Sequence, residues 1–319
     1  MPGRPVRDGR LILLAAALGL ACVLFLTVGA QGDWAFVLRF RGAKLGALLV
    51  VGTAIAVATV TFQTVSGNRI LTPSVMGIDA LFLLFQTLLV FLLGGAGFAA
   101  IGPHLRFLAE AGLLMGAATL LFGLLLGRGR ADLHRMVLTG IIFGVLFRSL
   151  TGLMQRMIDP SDFAVVQSAA FARFSSVETD LLGLSAVLCA VICAALWRMR
   201  HALDVLALGR EAAIGLGLAY RRTVIAALAL VAALVSVSTA LVGPVTFFGL
   251  LVAALAHGVL ADHRHARLLP AAALMAGLVL VAGQLVLDHV FDLATTLSVV
   301  VEFAGGLAFL FLVLKGSAR

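Results

Sequence analysis

The sequence predicts an all-α integral membrane protein of about ten transmembrane helices, and three observations carry that prediction. Of 319 residues, 62% are hydrophobic and only 12% are charged, whereas a soluble domain carries charge on roughly a quarter of its residues. Mean hydropathy is +1.15. Apolar windows of about 20 residues, the length a helix needs to cross a hydrocarbon core of ~30 Å, recur along the whole chain. This composition excludes disorder, collagen and a disulfide scaffold, and argues strongly against a water-soluble enzyme. The formal net charge of +8 suggests nucleic-acid binding until the charges are placed. In a membrane protein an excess of Lys and Arg reports orientation, and no nucleic-acid partner is expected.

The windows, cut at charged or Gly/Pro-rich breaks, are 11–30, 45–64, 74–96, 107–127, 136–156, 179–197, 223–242, 246–261, 268–288 and 293–314. The first follows Arg4, Arg7 and Arg10 and ends at Val28-Gly29-Ala30, like a signal peptide. Its apolar stretch is too long for one, so it reads as a retained helix. The run from Thr223 to Ala261 has no charge and exceeds one span. Gly243-Pro244 divides it, because proline lacks an amide proton and disfavours helix in the residue before it. Ten spans put both termini on one side. An N-in, C-in arrangement places 16 of the 23 basic residues in the cytoplasm, as orientation by basic loops requires. The other seven are Arg39, Arg41, Lys44, Arg106, Arg148, Arg156 and Arg173. Small residues at close spacing, such as Gly112 and Gly116 or Gly305-Gly306, suit a compact bundle. The whole of 1–319 thus reads as one transmembrane domain, with a cytoplasmic loop at 198–222 and an external segment at 157–178.

Catalytic signatures are absent from the sequence. Lys44 and Lys315 are the only lysines and neither belongs to a GxxxxGK[ST] loop, so nucleotide binding is not expected in this chain. Cys22, Cys189 and Cys193 fall within spans and read as buried structural thiols. His263 and His265 lie in a basic loop without further ligands nearby and read as solvated. No catalytic or metal-binding residue is expected, and no cofactor.

One stretch is more specific. Arg41-Gly42-Ala43-Lys44 opens an apolar helix that runs to Gln63, followed by Asn68-Arg69-Ile70-Leu71-Thr72-Pro73 and Gly77-Ile78. Further on come Asp159-Pro160, Leu208-Gly209-x-Glu211-Ala212-Ala213 with Leu216-Gly217, Gly243-Pro244-x-x-Phe247-x-Gly249-Leu250, and His265 before Leu268-Leu269-Pro270. In this order the motifs resemble those of the FecCD/BtuC-type permeases, which import iron–siderophores and vitamin B12. The departures are Asn68-Arg69 for the family's Asn-Pro, Ala253-Ala254 for Pro-His, His257 for Arg, Thr296-Leu297-Ser298 for Pro-x-Gly and Gly305-Gly306-Leu307 for Gly-Ala-Pro. They tell against a simple transfer from the B12 branch. Asn68-Arg69-Ile70-Leu71-Thr72-Pro73, Thr246-Phe247-Phe248-Gly249 and Thr295-Thr296-Leu297-Ser298 together most resemble a branch importing catecholate or mixed-ligand ferric siderophores, such as petrobactin-like or vibriobactin-like chelates. The resemblance implies a BtuC-like ten-helix bundle in the bacterial inner membrane and a partner ABC ATPase dimer that binds ATP and Mg. It also implies a second, non-identical permease subunit, an extracytoplasmic siderophore-binding protein and a ferric siderophore as cargo. An ion-coupled secondary transporter, using Glu302 or Asp288 as proton sites, is the rival from another class; import of haem or cobalamin is the rival within the family.

Site residues follow from the chemistry and the resemblance together. Leu208, Ala212 and Leu216 recur at i, i+4, i+8 in the cytoplasmic loop. Such a stripe either docks on a partner or lies on the bundle surface. The resemblance favours docking on the ATPase, with Gly209, Glu211, Ala213 and Gly217 in the same segment. Arg41 and Lys44, on the outer side, read either as docking charges for the binding protein or as snorkelling side chains. Arg148 lies about twelve residues into the fifth span, where a charge facing lipid costs ~2.5–3.5 kcal/mol. With Thr151 and Gln155 it forms a polar stripe that either lines the path of an anionic chelate or, through Arg148, pairs with Glu302. The segment 157–178 reads as an external gate or a solvated loop. Asp79 reads as an interfacial charge, with a place beside the inner gate as the alternative. Gln63, Asn68, Thr72, Pro73 and Gly77, like Gly243 and Pro244, read as turn-formers.

Overall fold

The computed structural model describes residues 8–29, 34–127, 133–175, 177–260, 262–290 and 297–317. Its helices are α1 (Asp8–Thr27), α2 (Trp34–Ser66), α3 (Ile78–Ala100), α4 (Pro103–Gly127), α5 (Leu133–Gln155), α6 (Pro160–Ala169), α7 (Thr179–Arg198), α8 (Arg200–Leu206), α9 (Arg210–Gly215), α10 (Tyr220–Val242), α11 (Phe248–Val259), α12 (His265–Val290) and α13 (Leu297–Ser317), with a 3₁₀ turn at Pro73–Met76 before α3. Among the described residues there is no strand. Eight helices are long and apolar enough to cross a bilayer, and Phe248–Val259 and Leu297–Phe311 are shorter apolar helices. Arg4, Arg7, Ala30, Arg128, Arg130, Thr295, Thr296 and Arg319 lie outside the described residues.

α2 is the axis of the bundle. Within its apolar span 72% of residues are buried, against 17% for α5. Ala47, Ala54, Ala56 and Ala58 on α2 are all but inaccessible to solvent. A Cβ at Gly52 would stand 3.1 Å from Leu280 of α12, and one at Gly277 would meet Leu49 and Leu18. Small side chains let α1, α2 and α12 approach closely, which is how helices pack where lipid offers no hydrophobic contrast. α10 closes the other side of α2 through Ala227, Leu228, Val231 and Leu234, all fully buried.

Two departures from the predicted spans have physical causes. α2 begins at Trp34, not near residue 45, so Arg39, Arg41 and Lys44 stand on the helix rather than ahead of it. Arg and Lys are good helix formers; an apolar window stops at them although the backbone does not. α11 has only 12 residues, about 18 Å of helix, too short to cross a ~30 Å core. Its start lies against Ile55 and Thr59, deep along α2: a Cβ at Gly249 would collide with the Thr59 hydroxyl. The Gly243–Phe247 turn therefore runs into the bundle. Gly243 holds φ at +104°, which an L side chain rarely adopts.

α5 packs on α3, on the 3₁₀ turn and, less closely, on α4, with Leu138, Ile142, Leu146 and Leu153 outward. The contact that holds it is glycine on glycine. A Cβ at Gly77 would lie 2.8 Å from Gly144 Cα, and one at Gly140 would lie 3.0 Å from Met76. α6 lies within the segment expected to be external and packs on α3, where Val166 is buried with Val90 and Phe98. α3 breaks at Gly94, φ +69°, beside the Asp162 carboxylate of α6.

Candidate functional site

Two turns far apart in sequence converge at the centre of the bundle. Pro73 and Ser74 of the 3₁₀ turn, Asp79 of α3, and Val245 and Thr246 of the re-entrant turn surround a small cavity, with Thr59 of α2 and Ser238 and Thr239 of α10. Asp79 is 8% exposed, so it faces the packed turns rather than lipid headgroups or water. The Thr246 hydroxyl donates to Asp79 Oδ2 at 3.0 Å; Ser74 is a further side-chain partner of that carboxylate, and Arg148 is the cation acting on it. Glu302 of α13 accepts from the Thr246 backbone and feels the charge of Asp79.

This arrangement corrects the expected stripe along α5. Arg148 is exposed on the isolated chain, whereas Thr151 is buried and its hydroxyl turns back to the Phe147 carbonyl at 2.8 Å. Gln155 is half-buried. Thr151 therefore cannot present a hydroxyl to cargo on the face that carries Arg148. Arg148 is a cation acting on Asp79, which in turn acts on Glu302. Sequence reasoning placed Asp79 at the interface because it opens a helix; the inward course of the turns brings that opening to mid-bundle.

Near the start of α2, the pair expected to face outward is engaged within the chain. Arg41 donates to the carbonyls of Phe25, Val28 and Gly29 at 3.1, 2.6 and 3.0 Å. It thereby satisfies acceptors at the end of α1 that a helix terminus leaves open. Lys44 is 8% exposed; its Nζ lies 3.4 Å from both carboxylate oxygens of Asp288, and Gln284 holds Oδ1 at 2.6 Å. Lys44 points into the bundle toward its carboxylate, whereas Arg41 caps the exposed end of α1. Arg39, one turn earlier, is exposed and lines a cavity of about 370 Å³ with Lys44, Phe174, Ser175 and Thr179. The external segment is tied down by Arg173 N–H donating to the Val242 carbonyl at 2.8 Å.

In the loop expected to face the cytoplasm, α8 and α9 break the expected continuous stripe. Gly209 and Gly217, at φ +93° and +81°, bracket a helix of only six residues. Ala213 is its buried anchor, while Leu208, Ile214 and Leu216 are 63%, 52% and 65% exposed and Glu211 and Ala212 face outward with them. Among the described residues nothing covers this apolar cluster. Beside it Arg210, Tyr220, Arg221 and Arg222 rim an open cleft of about 580 Å³. At the turn between α2 and α3, Gln63 Nε2 donates to the Arg69 carbonyl at 2.6 Å, and Asn68 Oδ1 accepts from Ile70 N–H at 2.9 Å. Gly77 takes φ +84°. Among the described residues no three His, Cys, Asp or Glu side chains form a metal-binding group.

The sequence profile of the FecCD transport family matches residues 10–315. The chain belongs to that family. The petrobactin import system permease protein YclO of Bacillus subtilis (strain 168) is 40% identical over 97% of this chain and 98% of its own length. The petrobactin import system permease protein FatC of Bacillus anthracis is 30% identical over 88% of this chain and 80% of its own. A solved metal-chelate type ABC transporter in an inward-facing conformation shares the fold, with a TM-score of 0.84 at 21% identity over 97% of this chain and 99% of that one.

One histidine was misread from sequence. His265 is 2% exposed and bonded on both ring nitrogens, not solvated in a loop. Nothing local in the sequence signals this, because its partners Asp204 and Thr64 stand 61 and 201 residues away.

Proposed function

We propose that this chain is the membrane permease subunit of an ABC importer that carries ferric siderophores of the petrobactin type across the bacterial cytoplasmic membrane. The likeness that supports the reading is the 40% identity to a petrobactin import permease over nearly the full length of both chains. In this reading the chain catalyses nothing itself. A separate ATPase dimer binds ATP and Mg and seats on the exposed apolar cluster Leu208, Ile214 and Leu216. A binding protein delivers the chelate to the outer mouth, with Arg39 rather than Lys44 as the basic side chain at hand there. A second, non-identical permease covers α5. That helix exposes both apolar residues and Arg148, and a charge at mid-span belongs against protein or water rather than lipid. Arg148 beside Asp79 then stands where an anionic iron chelate would pass between the two permeases.

Complementation tests the reading. In a bacterial strain stripped of its own siderophore permeases, this chain, expressed with its neighbouring transporter subunits, restores uptake of ferric petrobactin. Uptake of ferric enterobactin stays at background. Restoration by haem or cobalamin alone would overturn the cargo assignment.

A further inference from the structure

α2 and α12 are fastened to each other near both ends. At the inner end, Thr64 Oγ1 lies 2.6 Å from His265 Nε2; at the outer end, Lys44 meets Asp288. Between these bolts run ~30 Å of α2 and ~35 Å of α12 at 1.5 Å per residue, packed through alanine and glycine. Two helices pinned so far apart, with close contact between, resist sliding past one another.

The inner bolt extends to a third element. His265 Nδ1 and its backbone N–H both stand 2.7 Å from Asp204 Oδ1. A carboxylate only accepts, so Nδ1 carries the proton; the Thr64 hydroxyl, shared between Nε2 and the Val60 carbonyl at 2.9 Å, completes the contact on the other side of the ring. Asp204 lies on α8, whose Leu203 and Leu206 are buried against the bundle. The loop leading into His265 is itself held, with Asp262 accepting from Arg264 N–H and from Arg267. Beyond α8, Gly209 and Gly217 bracket α9 in left-handed backbone. The segment therefore has a clamped part, α8, and a glycine-flanked part, α9, that presents apolar side chains to the cytoplasm.

We propose that Asp204, His265 and Thr64 are positioning residues that fasten the ATPase-facing segment to the α2–α12 pair. Displacement of α9 then moves that pair as a unit and reaches the outer mouth. The proposal rests on the ATP-driven reading above. Cutting the clamp leaves α9 free to dock and the ATPase free to turn over, while the motion no longer reaches the bundle.

The test uses the complete transporter reconstituted in proteoliposomes with binding protein loaded with ferric petrobactin, measuring iron uptake and ATP hydrolysis together. Asp204→Ala keeps ATPase co-purification and hydrolysis, and uptake per ATP falls roughly tenfold, inside the range that substitutions in coupling networks span. Asp204→Asn, which retains an acceptor oxygen for both His265 donors, restores the ratio to within about twofold. Thr64→Val preserves volume while removing the third bond and gives an intermediate ratio, so the proposal stays testable if Asp204→Ala fails to assemble. Wild-type uptake per ATP in Asp204→Ala or Thr64→Val, or no rescue by Asn, would overturn it. A transporter with an inactivated ATPase that still imports would instead overturn the ATP-driven reading itself.

Discussion

Replacing Lys44 by Met isolates the outer bolt between α2 and α12. Lys44 is 8% exposed, and the Asp288 side chain is 23% exposed. Removing the cation leaves a partly buried carboxylate with only the Gln284 amide, at 2.6 Å. Breaking a fully buried pair costs about 3–5 kcal/mol. The 3.4 Å separation and the residual exposure of Asp288 bring the expected cost to roughly 2–3 kcal/mol. At about 2–4 °C per kcal/mol for chains of 150–250 residues, and less for longer ones, this is a fall of about 4–8 °C in Tm. The assay is thermal unfolding of the detergent-purified permease, followed by tryptophan fluorescence. Asp288→Leu alone, which strands Lys44, costs a similar amount. The double replacement Lys44→Met with Asp288→Leu recovers most of the loss, since an apolar pair of matched volume is often as stable as the ion pair it replaces. Two single variants whose losses simply add in the double variant would refute the internal pairing and return Lys44 to the outer surface.

Other expectations follow from the same geometry. Gly77→Ala places a methyl against Gly144 and strains a backbone at φ +84°; it should cost at least about 1 kcal/mol, read as a lower Tm and faster proteolysis within α5. Leu208→Glu with Leu216→Glu alters side chains 63% and 65% exposed; co-purification of the ATPase is lost while the Tm of the isolated permease moves by less than about 2 °C. Arg148→Ala removes the charge beside Asp79, and siderophore uptake falls at least about tenfold with the complex still assembled. Full uptake by that variant would remove Arg148 from the path. Thr246→Val strips the buried Asp79 carboxylate of a donor at 3.0 Å, at a cost of about 1–3 kcal/mol in thermal stability.

The all-helical class and most of the spans were legible because the apolar stretches are long and charges are few; the predicted span at 246–261 is instead a helix of 12 residues. The turn residues Gln63, Asn68 and Gly77 were legible because their partners are local: Gln63 reaches six residues and Asn68 two. What the sequence hid is the pairing of distant groups. Lys44 and Asp288 stand 244 residues apart, and Asp79 and Thr246 stand 167 apart. A charge near an apolar window reads as interfacial in either case, and only the fold says whether a partner waits inside. Thr151 was misplaced for a simpler reason. A threonine in an apolar helix can satisfy its hydroxyl on its own backbone, so it need not mark a polar face. The loop at 198–222 was legible in composition but not in shape, since Gly209 and Gly217 confine α9 to a single short helix.

The most direct measurement of the central claim is ferric petrobactin uptake into proteoliposomes that hold this permease with its partner permease and ATPase. Binding protein is supplied outside and ATP inside. Uptake requires ATP hydrolysis, disappears when the ATPase nucleotide site is inactivated and is unaffected by a protonophore. Uptake that survives ATPase inactivation and collapses with the proton gradient would contradict the account.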